Sequence, residues 1–232
     1  MRIRKLHRWK VTPARARQIQ MELRRRVIRA DRLPSVRRVA GADVAFDLRS
    51  HRAFAGVILY SFPGLRELER VWAERRLEFP YVPGLLSFRE APALLEAFAR
   101  LRGEPDVIFV DGHGYAHPRR FGIACHLGVL LGKATVGCAK SLLIGTHAEP
   151  PHAAGKWTPL CDGEELIGAV VRTRAGVKPI YVSQGHRVSL RRAVELALAV
   201  CDGYRIPKPT READHFVEEI KRSRLALGNR AS

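Results

Sequence analysis

The sequence predicts one α/β domain with a mixed central sheet flanked by helices. Two observations predict this fold class. Three short strand-like segments come first, separated by turn residues, which is the pattern of an antiparallel meander. Helical and strand-like patterns then alternate along the chain, which is typical of a sheet covered by helices. At 232 residues the chain is long enough to bury a full core.

The first predicted helix precedes the meander. Residues 13–30 place Ile19, Leu23 and Val27 at four-residue spacing among arginines, which predicts a basic amphipathic helix with Pro13 in its first turn. The three strands of the meander are predicted at residues 38–47, 54–62 and 68–76. Residues 80–84, PYVPG, then form a loop that two prolines stiffen.

The second half of the chain carries the alternating elements. Helices are predicted at residues 87–101, 121–132, 189–201 and 211–226, and strands at 107–111, 135–140, 166–173 and 179–183. Ser189 and Thr210 are the expected N-caps of the last two helices. Residues 145–163 are rich in Gly, Pro and His and predict an irregular excursion.

Domain organisation and compartment follow from composition. We expect residues 1–37 to be a basic extension packed on the same domain, residues 38–226 to be the domain itself, and residues 227–232 to be a tail. The apolar runs fall short of the roughly 20 residues that cross a bilayer, and no secretory signal is evident. The four cysteines are widely spaced, which argues against a zinc site or disulfides. We therefore expect a cytoplasmic monomer with no obligate protein partner and no membrane contact.

Positive charge is the strongest compositional signal. The formal net charge is +18, and residues 1–40 hold 14 Lys and Arg against two acids, so 12 of those charges lie there. Such a field attracts a polyanion, and nucleic acid is the usual one. The alternatives are a solubilising basic surface and, more weakly, a membrane surface.

Two carboxylates interrupt apolar strands. Asp43 lies within the small, apolar residues 39–46, and Asp111 ends the strand at 107–111. An ionised carboxylate in such surroundings is costly unless it is paired or binds a cation. Two acids on neighbouring strands could hold a divalent ion, and oxygen ligands suit Mg²⁺ or Mn²⁺. Alternatively, Asp43 caps a turn or binds an arginine, and Asp111 opens an Asp-Gly turn.

Six motifs carry a resemblance to a known family. They are GADVAF at 41–46, PYVPGLLSFRE at 80–90, IFVDGHGYAHPRRFG at 108–122, GCAKSLL at 137–143, SQGHRVSL at 183–190 and GYRIPKPTREADH at 203–215. In this order and spacing they resemble endonuclease V, over about residues 38–220. PYVPGLLSFRE and DGHGYAHPRR together make the resemblance highly specific.

The resemblance implies a ribonuclease-H-like fold and a DNA repair activity. Members of the family are Mg²⁺-dependent nucleases, for which Mn²⁺ can substitute, that recognise hypoxanthine in DNA (deoxyinosine, deaminated adenine). They cut the second phosphodiester bond on the 3′ side of the lesion, leaving 3′-hydroxyl and 5′-phosphate ends, and excise no base. Some members prefer inosine in RNA, so damaged DNA is the expected partner and inosine-containing RNA the alternative.

The resemblance also assigns catalytic residues. Asp43, Glu90, Asp111 and Asp214 match the metal-binding acids, Lys140 matches the catalytic lysine, and His215 is a neighbour that could shuttle protons or contact the ion. Each has an ordinary alternative. Ser87-x-x-Glu90 is also a capping box, Asp214 and His215 suit the first turn of a helix, and Lys140 suits an exposed strand end.

Substrate contacts are assigned in the same way. Tyr81, between Pro80 and Pro83, resembles the family's strand-separating wedge, with packing under a rigid loop as its alternative. Gly84, Leu86 and Gly112 are expected to form a main-chain pocket for an everted base. His117, Arg119 and Arg120 are expected to meet phosphates, although both arginines could be solvated instead, and His113 receives no role.

Two rival functions remain open at this point. One is a ribonuclease-H-like nuclease for branched or flap DNA, which the PYVPG wedge at residues 80–84 disfavours. The other is a nucleic-acid-binding module that has lost the chemistry. The complete set of acids together with Lys140 argues against that reading.

Overall fold

A computed structural model describes residues 1–33 and 35–228; positions 229–232 of the predicted tail lie outside the described residues. The strands are β1 (Arg38–Asp47), β2 (Arg52–Ser61), β3 (Glu67–Arg76), β4 (Val107–Asp111), β5 (Ala134–Ala139), β6 (Trp157–Asp162), β7 (Glu165–Val171) and β8 (Ile180–His186). The helices are α1 (Pro13–Leu23), α2 (Leu86–Arg100), α3 (Ile123–Leu131), α4 (Leu190–Ala199) and α5 (Lys208–Gly228).

The eight strands form one mixed sheet in the order β3-β2-β1-β4-β5-β8-β7-β6. β1, β2 and β3 are the predicted antiparallel meander, and β4 and β5 run parallel to β1. The remaining three strands continue the sheet in antiparallel pairs. This arrangement is ribonuclease-H-like and confirms the predicted fold class. Within the described residues, no helix combines the length and apolar character of a membrane span.

Helices cover both faces of the sheet. α2 and α3 pack through Leu94, Phe98 and Leu127 against one face, where Ala42 and Val110 lie. α4 covers the other face through Val194 and Leu196. These alternating inward positions explain why β1 and β4 read as almost continuously apolar segments.

The start of α5 lies directly against β1. A Cβ atom added at Gly41 would stand 1.9 Å from the carbonyl oxygen of Pro209, so the helix can approach only because residue 41 has no side chain. This contact fixes the first turns of α5, and therefore Asp214, beside the strand that carries Asp43.

α1 is shorter than predicted. Thr12 caps it, its hydroxyl accepting from the N–H of Arg15, and Pro13 is its first residue. The helix ends at Leu23 and passes through a 3₁₀ turn at Arg24–Arg26. Tertiary hydrogen bonds then hold the chain extended, since the N–H of Arg187 donates to the carbonyl of Ile28 at 2.6 Å. Pairing with the end of β8 therefore overrides the helical periodicity.

Two further predictions are wrong in detail, while the expected cap Ser189 is confirmed. Thr210 is not an N-cap: α5 begins at Lys208, and the Thr210 hydroxyl donates to the carbonyl of Pro207. Residues 145–163 are predicted to be irregular, but this segment ends in the edge strand β6. The side chains of β6 are largely exposed and include Pro159, so the sequence shows no apolar run there.

Candidate active site

Asp43 and Asp111 lie side by side on two paired strands. β1 and β4 are parallel, and Ala42 pairs with Val110 in their register. The next residues on the two strands are Asp43 and Asp111. Because neighbouring residues in register point to the same face of a sheet, both carboxylates project from one face. The N–H of Val44 donates to Oδ1 of Asp43 at 2.8 Å.

Glu90 faces this pair from α2. Burial raises the pKa of Glu90 well above its ordinary range, and the charges of Asp43 and Asp111 raise it further. Burial, then the charge of Asp111, likewise raises the pKa of Asp43 to about 8. The acids are therefore close enough to repel one another, which disfavours their ionised forms.

The capping box at Ser87-x-x-Glu90 does not form. α2 begins at Leu86 with Leu85 as its N-cap, and Leu85 offers no side-chain cap. Ser87, the second helical residue, is buried, and its hydroxyl forms a 3.0 Å hydrogen bond with Nδ1 of His126 in α3. The sequence therefore placed the helix start one residue late, and Glu90 is not needed at the cap.

Lys140 joins two of the acids. It follows the last residue of β5, and its Nζ lies 2.7 Å from Oδ2 of Asp111 and 3.3 Å from Oδ2 of Asp214 on α5. Burial acts to lower the pKa of Lys140, but the hydrogen bond and charge of Asp111 outweigh it, and the pKa is raised. Lys140 is thus a cation at neutral pH. His215, the next residue after Asp214, is exposed on α5.

Arg205 holds the main chain beside Lys140. Its Nη2 donates to the carbonyl oxygens of Lys140, at 3.0 Å, and Pro179, at 2.9 Å. Its Nε donates to the carbonyl of Lys178 at 2.8 Å. These bonds fix the turn from which the Lys140 side chain leaves the sheet.

The chemistry of the four acids suits a hard divalent cation. They offer only oxygen, which Mg²⁺ and Mn²⁺ prefer, and the space between Asp111 and Asp214 already attracts the ammonium of Lys140. Within residues 1–33 and 35–228, no group of three His, Cys, Asp or Glu side chains is spaced to hold a metal ion. The acids fit such an ion by donor type and by charge, and not by their spacing in this structure.

A cavity of about 260 Å³ opens next to the acids. Six residues predicted for substrate binding line it: Tyr81, Pro83, Gly84, Leu86, Gly112 and His117. Gly112 directly follows Asp111, and Ser141, another lining residue, directly follows Lys140. The cavity and the acids are thus joined through the main chain. Pro80 is exposed on the same loop but is not among the lining residues.

The loop at the mouth of the cavity exposes an aromatic ring. Tyr81 is 71% exposed, so the alternative in which it packs beneath a rigid loop is wrong. The flanking residues Pro80 and Pro83 are exposed as well. The ring is therefore available to a ligand that approaches the cavity.

The carbonyl oxygen of Gly84 collects three hydrogen bonds. Nε2 of His117 lies 3.0 Å from it, Nη2 of Arg119 donates at 2.7 Å, and Nε2 of Gln20 donates at 3.0 Å. Gly84 has a φ of +75°, and an added Cβ would meet Nη2 of Arg119 at 2.7 Å. The positive φ is the reason glycine is needed there, because the end of the flexible Arg119 side chain can move away from a Cβ.

These contacts revise the expected phosphate contacts. His117 is only 4% exposed, so its ring supports the cavity wall and does not project toward solvent. Arg120 is ion-paired with Asp162 and Glu165, both at 2.7 Å, so the alternative of a solvated side chain is wrong, and its expected phosphate contact stays a prediction. Arg119 is partly buried between Gln20 and Gly84. A phosphate contact by Arg119 stays a prediction.

Sequence reasoning missed Gln20 and His113. Gln20 is buried on α1 between the apolar residues Ile19 and Leu23, and a polar residue on an apolar helix face was the available signal. His113 lines the cavity, and its Nε2 lies 3.1 Å from the carbonyl of Ser141, which links the segments that follow β4 and β5. No sequence pattern indicated this contact.

The chain is similar to proteins of known family. The sequence model of the family described as Endonuclease V matches residues 21–215. A protein named endonuclease V from Roseiflexus sp. (strain RS-1) is 52% identical over 206 residues, covering 89% of this chain and 92% of the relative. The crystal structure of endonuclease V from Streptomyces avermitilis is 40% identical, with a TM-score of 0.87 and full coverage of both chains.

A further solved structure includes nucleic acid. It is endonuclease V from Ciona intestinalis in complex with a 24mer DNA containing an inosine followed by a ribo-adenosine. That protein is 30% identical to this chain, with a TM-score of 0.82, and the match covers 90% of this chain and 98% of the other.

Proposed function

The chain belongs to the endonuclease V family, and from this premise we propose that it is a DNA repair endonuclease specific for deoxyinosine. The proposed reaction is Mg²⁺-dependent hydrolysis of the second phosphodiester bond on the 3′ side of the lesion, which leaves 3′-hydroxyl and 5′-phosphate ends. The observation that carries the proposal is the cavity of about 260 Å³ that adjoins the acids through Asp111–Gly112 and Lys140–Ser141. The inosine-containing DNA bound by the Ciona intestinalis relative supports the same substrate.

Four acids are proposed to hold the metal. Asp43 and Asp111 would hold Mg²⁺, or Mn²⁺ in its place, and Glu90 and Asp214 would complete the shell or bind its waters. Their mutual repulsion supports this assignment, because a divalent ion would stabilise the ionised carboxylates. When bound, the ion lowers the pKa of water and neutralises charge on the departing oxygen.

Lys140 and His215 are the proposed cationic and proton-handling groups. The Lys140 ammonium stands beside Asp111 and can orient the attacking water and offset charge on the transferring phosphate. Arg205 would keep this lysine in place through its main chain. His215, exposed next to Asp214, is proposed to exchange protons with solvent.

The cavity is proposed to accept the everted hypoxanthine. The first N–H groups of a helix lack partners within it, and Leu86 and Ser87 begin α2 at the cavity wall. Such donors suit the O6 acceptor of hypoxanthine. The amino group of adenine would instead oppose donor to donor and leave both unsatisfied. Gly84 and Gly112 bring further main chain close to the base.

The surrounding residues are proposed to hold the strand open. Tyr81, exposed on the Pro80–Pro83 loop, would fill the gap that the everted base leaves. Arg119 would contact a backbone phosphate, and His117 would support the cavity wall. The solvent-exposed ring beside the cavity disfavours a general branched-DNA nuclease.

A matched set of oligonucleotides tests the proposal. A 5′-labelled duplex with one deoxyinosine should be nicked one nucleotide beyond the lesion in Mg²⁺, and the nick should be ligatable. EDTA should stop the reaction, and the undamaged duplex should stay intact. Uniform degradation, or preferential cutting of flap DNA, would contradict the specificity.

RNA is the second candidate substrate. The DNA bound by the Ciona intestinalis relative carries a ribo-adenosine after the inosine, which favours a direct comparison. Cleavage rates should be compared for three inosine-containing substrates: all-DNA, all-RNA, and DNA with a single ribonucleotide after the inosine. A strong preference for all-RNA substrate would replace DNA repair with inosine-specific RNA cleavage.

A further inference from the structure

We propose that Gln20 of α1 is a positioning residue of the base cavity, which sets selectivity for hypoxanthine by fixing the Gly84 carbonyl and Arg119. This inference rests on the proposed function and assigns a role to the N-terminal helix. α1 thereby becomes part of the lesion-reading machinery as well as a carrier of positive charge.

Every polar hydrogen of the Gln20 side chain is used. Nε2 donates to the carbonyl oxygens of Gly84, at 3.0 Å, and Phe121, at 3.2 Å. Oε1 accepts a hydrogen bond from Nε of Arg119. Two carbonyls can only accept and a guanidinium can only donate, so this network determines which end of the amide is oxygen. One side chain thus ties α1 to the loops on two sides of the cavity.

Burial makes these bonds significant. Gln20 is 1% exposed, and its neighbours on the buried face of α1, Ala16, Ile19 and Leu23, are apolar. They pack with Phe88 and Phe121 in a separate small core. A buried amide in such a place is tolerated only because its partners satisfy it. An apolar side chain there would leave two carbonyls and a guanidinium with fewer bonds.

The bonds act on the segment that leads into α2. Gly84 lies two residues before Leu86, where α2 begins, and the N–H of Leu85 donates back to Val82 at 2.9 Å. Hydrogen bonds from Gln20, His117 and Arg119 hold the Gly84 carbonyl in this turn. If it rotates, the first N–H groups of α2 move with it. Those groups are the proposed donors to the base.

The variant Gln20→Met tests the inference, with Gln18→Met as its matched control. Methionine keeps the length of the side chain without its hydrogen bonds, and Gln18 is an exposed glutamine on the same helix. Gln20→Met should lower kcat/KM for deoxyinosine DNA about 10- to 100-fold, mainly through KM, and should lower affinity for undamaged duplex much less, because only the Arg119 phosphate contact is affected there. Gln18→Met should match the wild type in kcat/KM and KM for deoxyinosine DNA and in affinity for undamaged duplex.

Several outcomes would overturn the inference. One is a Gln20→Met protein that matches Gln18→Met on deoxyinosine DNA. Another is equal loss of affinity for damaged and undamaged DNA together with a lower Tm, which would mean a purely structural role. Failure of the wild type to cut deoxyinosine DNA would refute the proposed function instead, so the two failures are distinguishable.

Gln20→Glu separates the partners of the side chain. A carboxylate keeps the bond to Arg119 but faces the carbonyls of Gly84 and Phe121 with no donor. If the Gly84 carbonyl is the point of action, Gln20→Glu should lose at least as much selectivity as Gln20→Met. Wild-type selectivity in Gln20→Glu would show that only Arg119 matters and would refute the Gly84 mechanism.

Discussion

Lys140 and Asp111 form an ion pair with an N–O distance of 2.7 Å at the ends of the neighbouring parallel strands β5 and β4. The same ammonium lies 3.3 Å from Asp214 on α5. Three separate elements therefore meet at one cation. With Asp43 next to Asp111 in register, the sheet concentrates negative charge where its parallel strands end, in a chain that is otherwise strongly basic.

Replacing the lysine should slow the chemical step. Lys140→Met removes the cation proposed to stabilise the transferring phosphate, and we expect the single-turnover rate to fall about 10²- to 10³-fold. Lys133→Met, which removes the pair with Glu104 at the opposite end of β5, is the control. A Lys140→Met rate within a few fold of the wild type would contradict the role.

Removing one acid should stabilise the metal-free protein. Burial and the charge of Asp111 raise the pKa of Asp43 to about 8. A carboxyl group with a raised pKa in the folded state costs stability as pH rises from its ordinary pKa through 8. In EDTA, Asp43→Asn should therefore melt above the wild type, by a margin that grows from pH 5 to pH 9. Thermal denaturation measures this difference in Tm between the variant and the wild type. A Tm difference that does not change with pH would contradict the electrostatic account.

Tyr81 should matter more for duplex than for single strands. If the exposed ring of Tyr81 fills the gap left by an everted base, Tyr81→Ala loses about 1 to 3 kcal/mol of stacking energy. This loss should lower kcat/KM on duplex deoxyinosine DNA roughly 5- to 150-fold. Tyr81→Phe, which keeps the ring, should stay near the wild type. Equal losses on single-stranded and duplex substrates would rule out a strand-separating role.

The 3₁₀ turn after α1 should contribute to general DNA affinity. Arg24 and Arg25 are exposed and line a surface cavity of about 400 Å³ beside Arg120. The double variant Arg24→Ala/Arg25→Ala should weaken binding of damaged and undamaged DNA alike. The slope of the logarithm of the binding constant against the logarithm of salt concentration should become shallower by about 1 to 2. Arg191→Ala/Arg192→Ala on α4 is the control. An unchanged slope would show that these arginines do not contact phosphates.

The sequence predicted the catalytic side of the fold better than the base cavity. Asp43 and Asp111 were recognisable because a carboxylate in an apolar strand is rare and costly. The contacts of Gln20 and His117 with Gly84 were not, since they join residues far apart in sequence. β6 escaped detection because an edge strand buries few side chains. Pairing with β8, which ends α1 early, is likewise a long-range effect.

Metal binding by the two strand acids tests the central claim most directly. Isothermal titration of Mn²⁺ into the wild-type protein should show binding, and Asp43→Asn and Asp111→Asn should each abolish or greatly weaken it. Asp106→Asn, whose carboxylate accepts from the N–H groups of Arg37 and Arg38 at the start of β1, should bind normally. Undiminished Mn²⁺ binding by both Asp43→Asn and Asp111→Asn would contradict a metal site shared by these two strands.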